Sequence, residues 1–113
     1  MTELIEKIRR FNQQRDWEQY HSPKNLAMAL AGEVGELLEC FQWLTEQQSR
    51  NLSPEKRAAV EEEMGDVTIY LLNLADHLGI DLIEAAHRKL EQNARKYPIA
   101  KAKGQAKKYT ELD

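Results

Sequence analysis

Apolar side chains recur along this chain at intervals of three and four residues, the spacing of one face of an α-helix. The first such pattern is Leu4, Ile8 and Phe11. Ser22-Pro23 and Ser53-Pro54 each place an N-cap residue before a proline, which suits the first turn of a helix. The predicted helices run from about residue 3 to 16, 23 to 45, 54 to 77 and 81 to 97.

Between and after these helices the periodic pattern is lost. Residues 17–21 mix aromatic and polar side chains, and residues 45–51 are polar and predict a loop or a frayed helix end. Pro98 prevents the fourth helix from continuing. Residues 99–113 carry four lysines with little periodicity, which predicts a flexible basic tail. We therefore predict a single all-α domain over residues 1–113, resembling a four-helix bundle.

Two of the predicted helices carry a carboxylate inside an apolar stripe. Glu33 lies three residues after one leucine of its stripe and four before the next, and Glu63 lies between two valines. Glu36 and Asp66 follow three residues later, so each pair shares one helix face. A charge on a buried stripe is costly unless it is paired or binds a metal. Packing of the two stripes would bring all four carboxylates together, which predicts a site for a hard divalent cation such as Mg²⁺.

The acidic motifs also carry a resemblance to a known family. Glu33-x-x-Glu36, a spacer of 26 residues and Glu63-x-x-Asp66 resemble the signature of the MazG-like all-α nucleoside triphosphate pyrophosphohydrolases. Within that superfamily, the chain from about Ile8 onward is similar to the dCTP pyrophosphatases, through residues 15–21, 23–26, 32–37, 41–43, 65–71 and 108–112. The resemblance implies Mg²⁺-dependent conversion of dCTP, or a related modified dNTP, to the monophosphate and pyrophosphate. It implies a role in cleansing the nucleotide pool, with the four carboxylates as catalytic metal ligands.

The expected substrate-binding residues are Trp17, His21, Asn25, Trp43, Tyr70, Asn93, Lys96 and Lys108. The resemblance implies that the segments of the two tryptophans sandwich the base and that Tyr70 lies beside the sugar. Each residue has a structural alternative, because tryptophan and tyrosine often belong to a core and exposed lysines often serve solubility. Ile8 departs from the family pattern, since some dCTP pyrophosphatases carry histidine there. That departure weakens the case for strict cytosine preference.

Composition and charge limit the classes of partner that this protein is expected to bind. The net charge of −3 argues against non-specific nucleic-acid binding, which requires a strongly basic face. No apolar run approaches membrane-spanning length, and a single cysteine, Cys40, suits a reducing cytoplasm. We expect a cytoplasmic enzyme without membrane or nucleic-acid partners. Leu38 and Leu72 indicate a second apolar face that favours a homo-oligomer, and the resemblance implies a homotetramer built as a dimer of dimers.

Two other classes of helical protein were weighed against this interpretation. A ferritin-like di-iron bundle needs a Glu-x-x-His motif on each of two helices. The predicted helices contain one, Glu84-x-x-His87, which argues against that class. A non-catalytic helical interaction module would explain the apolar faces but not Glu33 and Glu63 inside the stripes. Mg²⁺-dependent release of pyrophosphate from nucleotides would distinguish this alternative from an enzyme.

Overall fold

The computed structural model of this protein describes residues 1–112, and all regular secondary structure within them is helical. The helices are α1 (Thr2–Gln14), α2 (Pro23–Glu39), α3 (Glu46–Arg50), α4 (Pro54–His77), α5 (Leu82–Lys96) and α6 (Ile99–Ala102), with 3₁₀ turns at Glu18–Tyr20 and Tyr109–Glu111. The predicted all-α class is confirmed. Across the described residues, no helix combines the length and the apolar character that crossing a membrane requires.

Three helix starts lie where the sequence predicts them, because each has a side-chain cap. Ser22, Ser53 and Asp81 precede α2, α4 and α5 in extended backbone conformation. Their side-chain oxygens accept hydrogen bonds from the backbone N–H three residues later, at 3.1, 3.2 and 3.1 Å. These bonds satisfy N–H groups that have no partner within the helix. Local sequence therefore suffices to set these three boundaries.

The prediction was wrong between residues 40 and 51. Helix α2 ends at Glu39 rather than near residue 45, and residues 40–44 form tight turns. A new helix, α3, follows immediately, whereas the sequence predicted a loop or a frayed end. The cause is a capping box, in which Thr45 Oγ1 accepts the Gln48 N–H and Gln48 Oε1 accepts the Thr45 N–H. This reciprocal pair starts α3, and because Thr45 is in extended conformation, no helix continues through residue 45.

Residues Met1–Gly79 form one compact unit, and α4 is its central element. Helices α1 and α2 both pack against α4. Its buried apolar side chains are Ile8, Leu26, Val60, Leu72 and Ala75. Leu26 and Leu72 are each 1% exposed, and full burial of a leucine stabilises a fold by about 1.5–3 kcal/mol. The packing of α2 on α4 therefore brings together the two helices that carry the acidic motifs.

A second compact unit begins at Ile80 and contains α5 and α6. The rings of Tyr97 and Tyr109 meet edge to face with centroids 6.2 Å apart. The ammonium of Lys96 lies 5.0 Å from the centroid of the Tyr109 ring, a cation–π contact. The predicted tail of residues 99–113 thus includes α6 and a 3₁₀ turn. Its flexibility and the single-domain assignment stay predictions, and Asp113 lies outside the described residues.

Several large apolar side chains are left open to solvent on this single chain. Trp43 is 87% exposed, Met28 64% and Leu38 62%. By contrast, Leu72, which the sequence also predicted on a second buried face, is already buried within the chain. Contiguous exposed apolar surface commonly marks an interaction surface.

Candidate functional site

The four carboxylates predicted as metal ligands lie together. Glu33 and Glu36 stand one turn apart on α2, and Glu63 and Asp66 stand one turn apart on α4. One carboxylate oxygen of each residue lies within 4.8 Å of those of the other three. Helical periodicity sets the spacing within each pair, and the packing of α2 on α4 joins the two pairs. The predicted acidic cluster is therefore present in the fold.

Two oxygens of this cluster are buried without a hydrogen-bond partner among the described residues, Glu33 Oε2 and Glu63 Oε2. Desolvation raises the pKa of Glu33, and the neighbouring carboxylates of Glu36, Asp66 and Glu63 raise it further. Desolvation likewise raises the pKa of Glu63, followed by repulsion from Glu36 and then Asp66. No ion pair among residues 1–112 supplies a cation to these groups. Oxygen donors in this number fit a hard divalent cation, which would satisfy the buried oxygens and remove the repulsion.

The end of α1 positions Trp17 through a Schellman motif. Asp16 adopts a left-handed conformation with φ of 55°. Its N–H donates to the Gln13 carbonyl at 3.1 Å, while the Trp17 N–H donates to the Asn12 carbonyl at 3.0 Å. The Trp17 ring packs edge to face on Phe11 with centroids 5.6 Å apart, which is the apolar contact that accompanies this motif. Three local interactions thus hold the indole in place.

A cavity of about 340 Å³ lies within the first compact unit, between the end of α1 and α4. Three of the predicted substrate-binding residues line it, Trp17, His21 and Tyr70. Asp66 lines it as well and so belongs both to the cavity and to the acidic cluster. The remaining lining residues are Lys7, Ile8, Phe11, Asn12, Ile69 and Asn73. A largely apolar cavity with a few polar groups beside a charged cluster is suited to a ligand with an aromatic part and an anionic part.

Two predicted substrate-binding residues of the first unit lie outside the lining of this cavity. The Asn25 side chain donates to the Tyr20 carbonyl at 3.1 Å, so it ties the 3₁₀ turn to the start of α2. Trp43 lies in the turn after α2 with its side chain largely in solvent. Within this chain, Asn25 has a structural contact and Trp43 has little packing. Their contact with a substrate stays a prediction.

The other predicted substrate-binding residues belong to the second unit. The Asn93 carbonyl accepts the Tyr97 N–H at 2.8 Å near the end of α5. Lys96 lies over the Tyr109 ring, and Lys108 caps the last 3₁₀ turn, where its carbonyl accepts the Glu111 N–H. These contacts place the residues within their own unit. A role for Asn93, Lys96 and Lys108 in substrate binding stays a prediction.

Two buried residues with amide side chains, Asn12 and Asn73, were not predicted from the sequence as site residues, and each is 5% exposed. Both line the cavity. Asn12 follows Ile8 by four residues on the apolar face of α1, so a polar residue in that stripe was the available signal. Asn73 lies three residues after Tyr70 and seven after Asp66, on one face of α4. That spacing could have marked it as part of the site.

Comparisons with known proteins identify the family of this chain. The model of the MazG-like family matches residues 29–112. The chain is 48% identical to human dCTP pyrophosphatase 1 over 114 aligned positions, covering 96% of this chain and 67% of the relative. It is 46% identical to the Bos taurus dCTP pyrophosphatase 1, covering 96% of this chain and 68% of that protein.

A solved structure is similar as well, the crystal structure of a pyrophosphatase from Archaeoglobus fulgidus DSM 4304. Its sequence is 47% identical and its TM-score is 0.82, and the match covers 87% of this chain and 92% of that one. The family match spans most of this chain and includes both acidic motifs. The chain therefore belongs to the MazG-like family.

Proposed function

We propose that this protein is a Mg²⁺-dependent nucleoside triphosphate pyrophosphohydrolase that acts on dCTP or a related modified dNTP. One observation supports this most directly: Asp66 joins a cluster of four carboxylates to a cavity lined by aromatic side chains. The first feature suits a metal-bound triphosphate and the second suits a base. The relatives that are named dCTP pyrophosphatase 1 and the pyrophosphatase of similar structure support the same hydrolase class.

In this proposal the cluster of Glu33, Glu36, Glu63 and Asp66 would hold the metal, with one of its carboxylates left free of direct coordination. A bound Mg²⁺ supplies positive charge that stabilises the phosphate oxygens in the transition state. A carboxylate of the cluster that is free of the ion accepts the proton of the attacking water. Attack of that water on the α-phosphorus forms a new phosphorus–oxygen bond and breaks the bond to the α–β bridging oxygen. The products are the nucleoside monophosphate and pyrophosphate.

The cavity holds the base and the sugar. Stacking of a base on the Trp17 indole would contribute about 1–3 kcal/mol without selecting among bases. Tyr70 follows Asp66 by four residues on α4 and would lie beside the sugar. Ile8 is buried in the cavity wall and offers no hydrogen bond to a base. We therefore propose modified dNTPs beside dCTP and do not restrict the site to cytosine.

We further propose an oligomeric state and a cellular role for this protein. The exposed apolar side chains, Trp43 and Leu38 among them, support burial in a homotetramer built as a dimer of dimers. We also propose a role in cleansing the nucleotide pool of the cytoplasm, which rests on the proposed hydrolysis of modified dNTPs. Light scattering coupled to size-exclusion chromatography measures the assembly. A monomer at micromolar concentration would contradict this part of the proposal.

Product analysis tests the activity. The protein is incubated with a panel of canonical and modified dNTPs, with and without Mg²⁺, and the products are separated by ion-exchange chromatography. We expect monophosphate and pyrophosphate with Mg²⁺, and no product with Glu63→Gln. Glu39→Gln is a matched control on α2, because Glu39 lies outside the acidic cluster. Orthophosphate with a diphosphate would contradict α–β cleavage, and hydrolysis of no nucleotide would favour a non-catalytic interaction module.

A further inference from the structure

One buried residue, Asn73, contacts two histidines, one through its side chain and one through its backbone carbonyl. The Asn73 side-chain nitrogen Nδ2 lies 3.4 Å from His21 Nδ1. The Asn73 backbone carbonyl oxygen lies 2.9 Å from His77 Nδ1. Asn73 is 5% exposed, and both Asn73 and His21 line the cavity. The side chain of Asn73 therefore contacts His21 within the wall of the cavity.

The chemistry of these partners determines where the imidazole protons lie. A carbonyl oxygen can only accept, so His77 Nδ1 carries a hydrogen and donates it. An amide –NH₂ group can only donate, so His21 Nδ1 accepts and carries no hydrogen. A neutral imidazole with a bare Nδ1 has its hydrogen on Nε2. The ring nitrogen of His21 that Asn73 leaves available is therefore a donor.

The surroundings of His21 favour its neutral form. Burial lowers the pKa of His21, the nearby His77 lowers it further, and Glu18 opposes this shift. The rings of His21 and His77 meet edge to face with centroids 6.2 Å apart, so two imidazolium ions there would repel each other. Beyond His77, Asp76 is paired with Arg9, whose Nε donates to Asp76 Oδ2 at 2.7 Å. The charge of Asp76 is thus already engaged with a cation.

We propose that Asn73 is a positioning residue for base recognition, which holds His21 in the Nε2–H tautomer as a hydrogen-bond donor to the ligand in the cavity. The base it selects presents an acceptor at that point, such as the 2-carbonyl oxygen that pyrimidines carry. The base-recognition part rests on the proposed function. The tautomer of His21 does not, and it can be measured without substrate.

Long-range ¹H–¹⁵N NMR spectra of the imidazole rings test the tautomer in the full-length protein, without nucleotide, at neutral pH. The chain has three histidines, so His21→Gln and His87→Gln assign the signals. We expect the Nε2–H pattern for His21 in the parent, a mixture of tautomers in Asn73→Leu, and a doubly protonated ring in Asn73→Asp. His87→Gln serves as the control and leaves the His21 signal unchanged, because His87 is exposed on α5.

Two results would overturn the tautomer assignment. One is an Nδ1–H or doubly protonated His21 in the parent, and the other is a His21 pattern that Asn73→Leu does not change. Asn73 is buried, so circular dichroism checks that each variant is folded. Asn73→Asp preserves the size of the side chain and keeps the test decisive if Asn73→Leu does not fold.

Kinetics test base recognition separately. Loss of one hydrogen bond to the base should raise the KM for the nucleotide about tenfold in Asn73→Leu, with kcat little changed. The same substitution in a His21→Gln background should add nothing, because Asn73 acts through His21. Additive losses would show a merely structural role and overturn the proposal. Asn51→Leu, an exposed position on the C-terminal side of α3, is the matched control.

The NMR and kinetic experiments together also distinguish a failure of this inference from a failure of the proposed function. A protein with the expected His21 tautomer that hydrolyses no nucleotide would refute the proposed function and base recognition while leaving the positioning role of Asn73 intact. A protein that hydrolyses nucleotides but shows the other tautomer would refute the positioning role alone.

Discussion

Glu33→Gln removes one negative charge from the acidic cluster with little change in side-chain volume. One oxygen of Glu33 lies within 4.8 Å of an oxygen of each of three other carboxylates. At that distance two unit charges in a water-like dielectric repel by about 1 kcal/mol. Salt and solvent screen part of this sum at a half-exposed site, so we expect the metal-free variant to be more stable than the parent by about 1–2 kcal/mol.

Thermal melts with and without Mg²⁺ measure this effect beside an activity assay. A metal present at about 100 times its Kd adds about 2.7 kcal/mol to the stability of the parent, because it binds the folded state. For a domain of this size that corresponds to a rise in Tm of roughly 10 °C. Glu33→Gln should gain much less from Mg²⁺ and lose hydrolysis. Glu39→Gln removes a charge from the same helix outside the cluster, and it should behave as the parent does.

The opposite pattern would refute the reasoning. If Glu33→Gln is markedly less stable than the parent without metal and still hydrolyses triphosphates, Glu33 is a structural residue. If the variant and the parent gain equally from Mg²⁺, the ion binds elsewhere on the protein. Either result would remove the physical basis for the metal site.

Three further substitutions test other parts of the structure. Arg9 lowers the pKa of Asp76 below the usual 3.8, so the pair stabilises the fold above that pH and the contribution is lost as pH falls through the lower folded value. Asp76→Asn should therefore lower the Tm more at about pH 7 than at about pH 2, and an equal loss at both would contradict the ion pair. Asp16→Val places a β-branched residue at positive φ, so we expect chemical denaturation to show a free energy of unfolding lower by about 1–3 kcal/mol. The KM should also rise, because Trp17 is displaced. An unchanged denaturation midpoint and KM would contradict this. Gly65→Ala adds a Cβ inside α4 that meets no atom within 4 Å. Chemical denaturation should therefore show a free energy of unfolding higher by about 0.5–1 kcal/mol. A lower free energy of unfolding would contradict this.

Features that depend on neighbours within a few residues could be predicted from the sequence alone. Ser22 and Ser53 cap their helices by bonding to an N–H three residues later, so two helix starts could be predicted from local chemistry. The pairing of Glu33 with Glu36 follows from helical periodicity alone. The capping box at Thr45 was also readable, and overlooking it led to the wrong end for α2.

Contacts between residues far apart along the chain depend on how the helices pack. The cavity forms where α1 packs on α4. That packing buries Asn12 and Asn73, which are two of the polar residues in the cavity lining. The contact between Asn73 and His21 joins residues that lie 52 positions apart along the chain. No local pattern reports such a contact, because loop closure and core packing select it over the whole unit. For the same reason, two tryptophans that the sequence predicts in the same role lie in different environments. Trp17 lines the cavity, whereas Trp43 is largely exposed to solvent.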